Sequence, residues 1–427
     1  MKLTVFKNKI VKNAGWLIAG KVAQMLVSLV VGMLTARYLG PSNYGLIGYA
    51  QAYTSFFMAF CTLGINSVLV REIIDNPESE GRIIGSTLVM RAVSSFLSAI
   101  MIVGIVSLLE SDEPTTILVT ALCSISLFFN IFETFNYWFQ SKLKSKITAI
   151  ASLIAYVATA AYKIVLLILG KSVAWFAFAY SLDYICVGII LLICYKHEGG
   201  QKLAFSKTDS KRILSRSIHF ILPSLMVSIY RHSDEFMLKQ FLNETEVGYY
   251  TMAVALSGML GFVFSAIIDS VYPSIMEAHK ENNIPLFEKR NKQLYAIVFY
   301  LANIISLFIC IFAPFIIRIL YGKAYLPAVM PLRVITWYTA FSFLGVARDA
   351  WVVCENKQKY LKYIYIGAAL CNVVLNLIFI PLWGATGAAF TSLITQIAVV
   401  MIFPLFIRDL RPNLILILEA ICLKNIK

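Results

Sequence analysis

The sequence predicts an all-α, polytopic membrane protein with twelve transmembrane helices in two six-helix lobes. Three observations support this prediction: apolar segments of about 20 residues recur along the whole chain, the loops on one side are basic, and the second half repeats short motifs of the first. Of the 427 residues, 59% are hydrophobic and 14% are charged, whereas a soluble domain carries about 25% charged residues. The composition therefore argues against a soluble globular enzyme.

The apolar segments are bounded by charged residues, Gly or Pro. Each segment is long enough to cross a hydrocarbon core of about 30 Å at about 1.5 Å per residue. The first one follows four lysines, as in a secretory signal, but it outruns a signal core of about 7–15 residues, so we expect a retained helix. The predicted spans are 16–38, 46–70, 84–109, 115–139, 148–169, 172–194, 217–240, 247–272, 293–318, 328–352, 362–383 and 384–407.

The distribution of basic residues predicts the orientation in the membrane. The chain contains 37 Lys and Arg against 23 Asp and Glu, a formal net charge of +14. With the N-terminus in the cytoplasm, 26 of the 37 basic residues lie in inner segments, as the positive-inside rule requires. We therefore expect both termini on the cytoplasmic side. The net charge is then mostly a topological signal, and no nucleic-acid partner is expected.

The two halves of the chain share motifs at nearly constant offsets. Gly45 matches Gly248 at an offset of 203 residues, and Gly170 matches Gly384 at an offset of 214. An even number of spans in each copy predicts a parallel pseudo-twofold repeat with a transport cleft between the lobes. A duplication retained only for packing is the alternative. The predicted divisions are an N-lobe (1–194), a cytoplasmic linker (195–216), a C-lobe (217–407) and a cytoplasmic tail (408–427).

One matched pair suggests where the lobes bend. Gly20 in the first helix and Pro223 in the seventh coincide at the offset of 203 residues. Gly adds flexibility to a helix and Pro removes one of its hydrogen bonds. The pair predicts two bendable helices that line the cleft. The alternative is chance, since both residues are common in transmembrane helices.

Cations inside the spans are candidates for binding an anionic substrate. A charge near mid-bilayer costs at least ~2.5–3.5 kcal/mol on insertion scales and marks a functional site by default. The fork of an Arg side chain matches phosphate and pyrophosphate groups. Arg231 is the strongest candidate because it lies too deep in its span to reach the cytoplasmic face easily, whereas two of the others can snorkel. The candidates are Lys21, Arg37, Arg91, Arg231 and Arg348.

Acids inside the spans are candidates for coupling transport to H⁺ or Na⁺. Glu133 is preferred to Asp183 because it precedes the polar and aromatic cluster at 136–138, near the inner end of its span. Asp234 and Glu235 follow Arg231 by three and four residues, so we expect them to neutralise it on the same helix face. An interhelical ion pair or hydrogen bond is the alternative for each acid. Neither a bound metal nor a cofactor is predicted.

Five stretches of the chain carry a family resemblance through their order and spacing, although each motif alone is weak. They are ARYLGPSNYGLIGYAQAY (36–53), LGINSVLVREI (63–73), NYWFQSKLKSK (136–146), DEFMLKQFLNETEVGYYTMA (234–253) and PLWGATGAAFTSLIT (381–395). Together they resemble the Wzx-type lipid-linked oligosaccharide flippases, and the resemblance covers nearly the whole chain. These proteins belong to the multidrug/oligosaccharidyl-lipid/polysaccharide exporter superfamily.

The resemblance implies a function in cell-surface polysaccharide synthesis, such as that of O-antigen or capsule. An undecaprenyl-pyrophosphate-linked repeat unit would move from the inner to the outer leaflet of the bacterial cytoplasmic membrane by alternating access, often with ion antiport. Polysaccharide polymerase and chain-length proteins are the implied partners beside membrane lipids. A multidrug or organic-cation exporter is the nearest alternative. A membrane polysaccharide polymerase is a more distant one, because every predicted external connection is short.

Overall fold

The fold is entirely helical in the part of the chain that the structure describes. The computed structural model describes residues 2–259 and 261–424, and the side chains of all of these except residues 2–24, 26 and 67. The helices are α1 (Lys2–Cys61), α2 (Asn66–Asp75), α3 (Glu80–Leu109), α4 (Pro114–Asn130), α5 (Thr134–Ser141), α6 (Ser145–Ile168), α7 (Val173–His197), α8 (Lys207–Phe241), α9 (Glu244–Gly258), α10 (Gly261–Lys280), α11 (Ile284–Leu320), α12 (Val329–Cys354), α13 (Leu361–Ile397), α14 (Phe403–Phe406) and α15 (Arg411–Ile421).

The protein is a multi-pass membrane protein. Within the described residues, nine helical segments are long and apolar enough to cross a bilayer. Two long helices contain a residue with non-helical dihedral angles: α1 breaks at Gly40 (φ 71°) and α13 at Gly384 (φ 55°). Both breaks fall where the sequence predicts a turn between two spans, and glycine tolerates the positive φ. The count of twelve spans and the pseudo-twofold relation stay predictions.

Other breaks fall inside predicted spans. The span predicted for 46–70 ends as a helix at Cys61, and α2 begins only at Asn66. Gly64 between them has a φ of 64°, and a Cβ atom there would lie 2.6 Å from the carbonyl oxygen of Ser217 in α8. The break therefore accommodates the close approach of another helix. The span predicted for 115–139 also changes to a 3₁₀ turn at Ile131–Glu133 before α5 begins.

The helices form two compact units. The first contains residues 1–39 and 46–228, and the second contains residues 40–45 and 229–427. The chain therefore passes from the first unit to the second within α8, between Ser228 and Ile229. This point lies beyond the linker predicted at 195–216 and five residues after Pro223.

In the first unit, the connection between α7 and α8 (198–206) is fastened to the N-terminal part of α3. The backbone amide of Gly81 donates to the side-chain oxygen of Gln201 at 3.0 Å, and Ser86 exchanges two hydrogen bonds with the backbone of Ser206. Gly85 lets the chain approach closely, since a Cβ atom there would lie 2.4 Å from the carbonyl oxygen of Ala204. Most of the predicted linker is therefore ordered by specific hydrogen bonds.

The beginning of α8 is fastened to α2 by charge. The Glu72 carboxylate is 1% exposed and accepts from Arg212 at 3.2 Å and from Arg216. Asp209 also pairs with Arg212, at 2.9 Å. Because Glu72 is buried and both arginines reach solvent, the pairs neutralise the carboxylate without burying the two cations fully.

The last helix belongs to the second unit. In the predicted tail 408–427, α15 packs on α11 through a buried face that includes Leu414 and Ile417. The Asn413 side chain donates to the hydroxyl of Tyr295 at 2.7 Å, and Lys292 pairs with Glu419 at 2.7 Å. The eleven residues of α15 are therefore an integral part of the second unit.

Candidate functional site

The second unit encloses a polar cavity of about 340 Å³ beside α8. Its wall combines one arginine, one histidine and one carboxylate with several aromatic and hydroxyl groups. Four helices contribute to it, namely α8, α9, α12 and α13. The polar lining residues are Tyr230, Arg231, His232, Glu235, Tyr250, Ser257, Tyr338, Thr339, Ser342 and Ser392.

Among the sequence-predicted cations whose side chains the structure describes, Arg231 alone lines this cavity. Its side chain is exposed, and within the described residues no carboxylate oxygen lies within 4.0 Å of its guanidinium. The expected neutralisation by Asp234 and Glu235 is therefore not observed. The physical reason is direction: Asp234 points into a separate hydrogen-bond network, and Glu235 lies nearer to His232 than to Arg231. Within the described residues, the guanidinium therefore faces the cavity without a carboxylate partner.

Asp234 is the centre of a buried polar network that joins α8, α9 and α13. Its carboxylate is 1% exposed and accepts from Tyr250, from Ser392 at 2.5 Å and from Asn376 at 2.6 Å. Asn372 approaches the same carboxylate at 3.3 Å. The side-chain oxygen of Asn376 is buried and has no hydrogen-bond partner among the residues that the structure describes. The network therefore gathers carboxylate, amide and hydroxyl oxygens around one point.

Glu235 and His232 form an unsatisfied pair in the cavity wall. The carboxylate oxygen Oε2 of Glu235 lies 3.9 Å from Nδ1 of His232. Both atoms are buried, and neither has a hydrogen-bond partner in the described part of the chain. Buried polar atoms are normally satisfied, so an unpaired donor–acceptor pair beside a cavity is consistent with a site that a ligand or water completes.

The acids predicted in the N-terminal half lie together in the first unit. Glu133 is in the 3₁₀ turn between α4 and α5, and Asp183 is in α7. Both line a cavity of about 260 Å³. Asp183 also lines a neighbouring cavity of about 290 Å³ that contains Lys163. Lys163 was not among the predicted cations, although a lysine within an apolar span indicates a functional site as much as an arginine does.

Of the other predicted cations, Arg37, Arg91 and Arg348 are not among the described residues that line the Arg231 cavity. Arg348 is 2% exposed and donates to the carbonyl oxygen of Val399 in the π-helical segment at 398–402. Arg37 is exposed just before the break at Gly40. Gly20 and Lys21 lie among residues 1–24, whose side chains are outside the described part of the structure.

Arg91 is fully buried in the first unit. It is 1% exposed and donates to Thr134 at 3.1 Å and to Asn66. Snorkelling therefore does not explain this arginine. Its hydrogen bonds join α3 to α2 and to the start of α5, beside the 3₁₀ turn that holds Glu133.

The amide side chains of the Asp234 network were not predicted from the sequence, because the predicted binding and coupling residues were chosen by formal charge. Asn372 and Asn376 are four residues apart on α13 and therefore share one helix face. Both are completely buried. Two asparagines with this spacing in an apolar segment are a usable signal, since polar side chains inside a membrane hydrogen-bond across helices.

The family is established by comparison with known sequences. A family model described as "Polysaccharide biosynthesis protein" matches residues 10–279, more than half of the chain. The chain belongs to this family. A curated relative named "Putative O-antigen transporter", from Escherichia coli (strain K12), is 22% identical over 404 residues. That alignment covers 93% of this chain and 96% of the relative.

Solved structures support the fold of this polysaccharide biosynthesis family member. The lipid II flippase MurJ in an inward closed conformation superposes with a TM-score of 0.73 at 14% identity, covering 95% of this chain and 91% of MurJ. An inward-facing multidrug resistance MATE family transporter of the MOP superfamily gives 0.68 at 17% identity, covering 93% and 96%. At these identities the likeness shows the fold alone.

Proposed function

We propose that the protein is a flippase for an undecaprenyl-pyrophosphate-linked oligosaccharide repeat unit. It would move this lipid from the inner to the outer leaflet of the bacterial cytoplasmic membrane by alternating access, with both termini in the cytoplasm. The observation that carries the proposal is that the Arg231 guanidinium lines the cavity of the second unit and has no carboxylate partner within the described residues. Membership of the polysaccharide biosynthesis family and similarity to a protein named as an O-antigen transporter support the substrate class.

The cavity has the donors that a pyrophosphate needs. A guanidinium binds phosphate oxygens with two parallel hydrogen bonds. The hydroxyl groups of Tyr230, Tyr338 and Ser342 in the same wall supply further donors. Because Arg231 has no carboxylate partner within the described residues, no such ion pair has to break when the pyrophosphate binds. The free energy of substrate binding is therefore not reduced by the loss of an ion pair.

We propose that the coupling cation binds at the Asp234 network. Hard cations such as Na⁺ prefer oxygen ligands, and the network presents oxygens of Asp234, Asn376 and Ser392. Rotation of the Asn376 amide would direct its unpaired oxygen towards the ion. Asp234 lies three residues from Arg231 on α8, so a cation there changes the electrostatic field at the pyrophosphate site. This arrangement favours Asp234 over Glu133, the choice made from the sequence.

The test compares Arg231→Gln with Arg231→Lys in purified, reconstituted protein. The probes are farnesyl diphosphate and, as the uncharged control, farnesol. Hydrogen bonds to a charged group contribute about 1.5–3 kcal/mol, so Arg231→Gln should weaken diphosphate binding by about 10–100-fold. Arg231→Lys keeps the charge without the fork and should lie between. Equal diphosphate affinity in all three proteins would exclude Arg231 as the headgroup ligand.

A second candidate function, export of an organic cation, is favoured by one feature of the same cavity. Glu235, whose Oε2 has no hydrogen-bond partner within the described residues, lines the same cavity wall as Tyr230, Tyr250 and Tyr338. Carboxylates and aromatic faces together attract organic cations. Tetraphenylphosphonium binding that Glu235→Gln removes, without any binding of farnesyl diphosphate, would favour the exporter over the flippase.

A further inference from the structure

A second polar cavity lies within the first unit, between α4, α5, α6 and α7. Its volume is about 260 Å³. Carboxylates from Glu133 and Asp183 and carboxamides from Asn130 and Asn136 face this space. Hydroxyl groups and the ring of Phe129 complete much of the wall. Because drug-sized ligands occupy sites of about 300–1,000 Å³, a cavity of this size fits a smaller group.

The wall has more hydrogen-bond acceptors than donors. One oxygen of Asp183 is buried and accepts no hydrogen bond within the described residues. Glu133 accepts one long hydrogen bond, 3.3 Å, from Asn130. An ionised carboxylate offers about four lone-pair sites, so most of this acceptor capacity is unused. A ligand that completes the cavity must therefore bring several O–H or N–H donors.

The electrostatics of the cavity disfavour an anionic ligand. No lysine or arginine is among the described residues that line it. Arg91, which donates to Thr134, and Lys163, which lines the neighbouring cavity, act on Glu133 and Asp183 from outside this wall. The charged groups that face a ligand directly are therefore the two carboxylates, which disfavour a negatively charged group.

We propose that this cavity binds one sugar ring of the transported saccharide and selects rings that carry hydroxyl or amino donors over uronic acids. Several hydroxyl donors around a compact ring match the unused acceptors, and an apolar ring face suits Phe129. An amino group binds more tightly than a hydroxyl, because each N–H donor of an ammonium is charge-assisted towards Glu133 and Asp183. The inference rests on the proposed function, since it assigns the saccharide part of the same substrate.

The test uses the full chain purified in detergent, with methyl glycosides of glucose, glucosamine and glucuronic acid as probes. Saturation-transfer NMR detects contact, and titration calorimetry gives the affinities. We expect glucosamine to bind at least tenfold more tightly than glucose, and the glucuronide to give no signal. This comparison needs no variant, so it remains decisive even where a substitution disturbs folding.

Variants then locate the binding. Asp183→Asn and Glu133→Gln should each weaken glucosamine binding about tenfold or more, since each removes a charge-assisted hydrogen bond. The matched control is Asp112→Asn, which removes one negative charge from an exposed position between α3 and α4. It should bind glucosamine as the unsubstituted protein does.

The remaining outcomes overturn the proposal in distinct ways. Equal binding of all three glycosides, or no binding of any, would exclude a donor-selective sugar site. Loss of glucosamine binding in the presence of Na⁺ alone would assign the cavity to an inorganic cation. Binding of farnesyl diphosphate in an Arg231-dependent manner distinguishes failure of this proposal from failure of the flippase proposal. If only the proposed sugar site is incorrect, this binding is still observed. If the flippase proposal is incorrect, this binding is not observed.

Discussion

Truncation of Asp234 to Ala tests the most highly connected polar residue of the second unit. The change removes the acceptor for Tyr250, Ser392 and Asn376 in a site that is 1% exposed. Tyr250 and Ser392 lie 3.1 Å apart and can hydrogen-bond each other after the truncation. About two donors are then left without a full partner, which lowers the free energy of unfolding by roughly 2–4 kcal/mol at about 1–2 kcal/mol each.

Thermal unfolding measured by tryptophan fluorescence checks this magnitude. For a unit of about 200 residues, the loss corresponds to a decrease in Tm of about 5–15 °C. Asp234→Asn preserves the shape and one acceptor oxygen and should cost less. Asp269→Ala, at an exposed position of α10, is the control and should leave Tm nearly unchanged. A Tm of Asp234→Ala within the error of the control would show that the network does not stabilise the unit.

The same measurement tests cation binding at Asp234. A ligand that binds only the folded state adds about 2.7 kcal/mol to the free energy of unfolding at 100 times its Kd. The Tm of the unsubstituted protein should therefore rise with Na⁺ when ionic strength is held constant with choline. The rise should disappear in Asp234→Asn, because a neutral amide cannot balance the cation. A Na⁺-dependent rise of equal size in both proteins would place the cation elsewhere.

Two further predictions concern interactions within each unit. Glu72→Gln should lower the free energy of unfolding by about 1–3 kcal/mol because it leaves two arginines without their buried partner. The control Arg71→Gln breaks an exposed pair and should lower it by less than about 0.5 kcal/mol. Equal decreases in Tm for the two variants would refute the distinction. Gly248→Ala should reduce the yield of folded protein severely, since its Cβ atom would lie 2.0 Å from the backbone oxygen of Pro41. The control Gly104→Ala, whose Cβ atom would have no neighbour within 4 Å, should be neutral or slightly stabilising. Comparable yields of the two variants in size-exclusion chromatography would contradict the prediction.

The sequence predicts the turns between spans better than the breaks within them. Gly40 and Gly384 lie beside Pro and polar residues, and the chain turns there as expected. The break at 62–65 lies in a continuous apolar segment, and its cause is the approach of α8 to Gly64. Hydropathy measures transfer into lipid and carries no information about such a contact. Breaks of this kind therefore require knowledge of the packed neighbour.

The two glycine pairs that are matched between the halves of the chain each share a structural feature. The members of one pair have similar backbone conformations, and the members of the other pack closely together. Gly170 and Gly384, matched at an offset of 214 residues, both have positive φ, 62° and 55°. Gly45 and Gly248, matched at 203, approach each other within the second unit, where a Cβ atom on Gly45 would lie 2.7 Å from the amide of Gly248. Matched glycines can thus point to positions where a side chain is not tolerated.

The candidate site was predictable where charge alone decides the outcome. Arg231 lines a cavity, in keeping with the polar environment that a deep cation requires, and its role in substrate binding stays a prediction. Its pairing with Asp234 and Glu235 was wrong, because spacing on one helix does not include the competing partners on α9 and α13. Asp234 finds four neutral hydrogen-bond partners on those helices, so it does not need the arginine. Side-chain pairing in a bundle is decided by the neighbouring helices as much as by spacing along one helix.

The positions of Arg231 and Asp234 on one helix give a physical basis for coupling. The two residues are less than one turn apart, so their Cα positions are fixed by the backbone hydrogen bonds of α8. Arg231 faces a cavity, whereas Asp234 faces α9 and α13. In the coupling proposed above, an ion that draws the carboxylate, the amides and the hydroxyl closer together would move or rotate this segment of α8. The arginine would then shift with it, and by linkage a ligand on the arginine must change the affinity for the ion by the same factor.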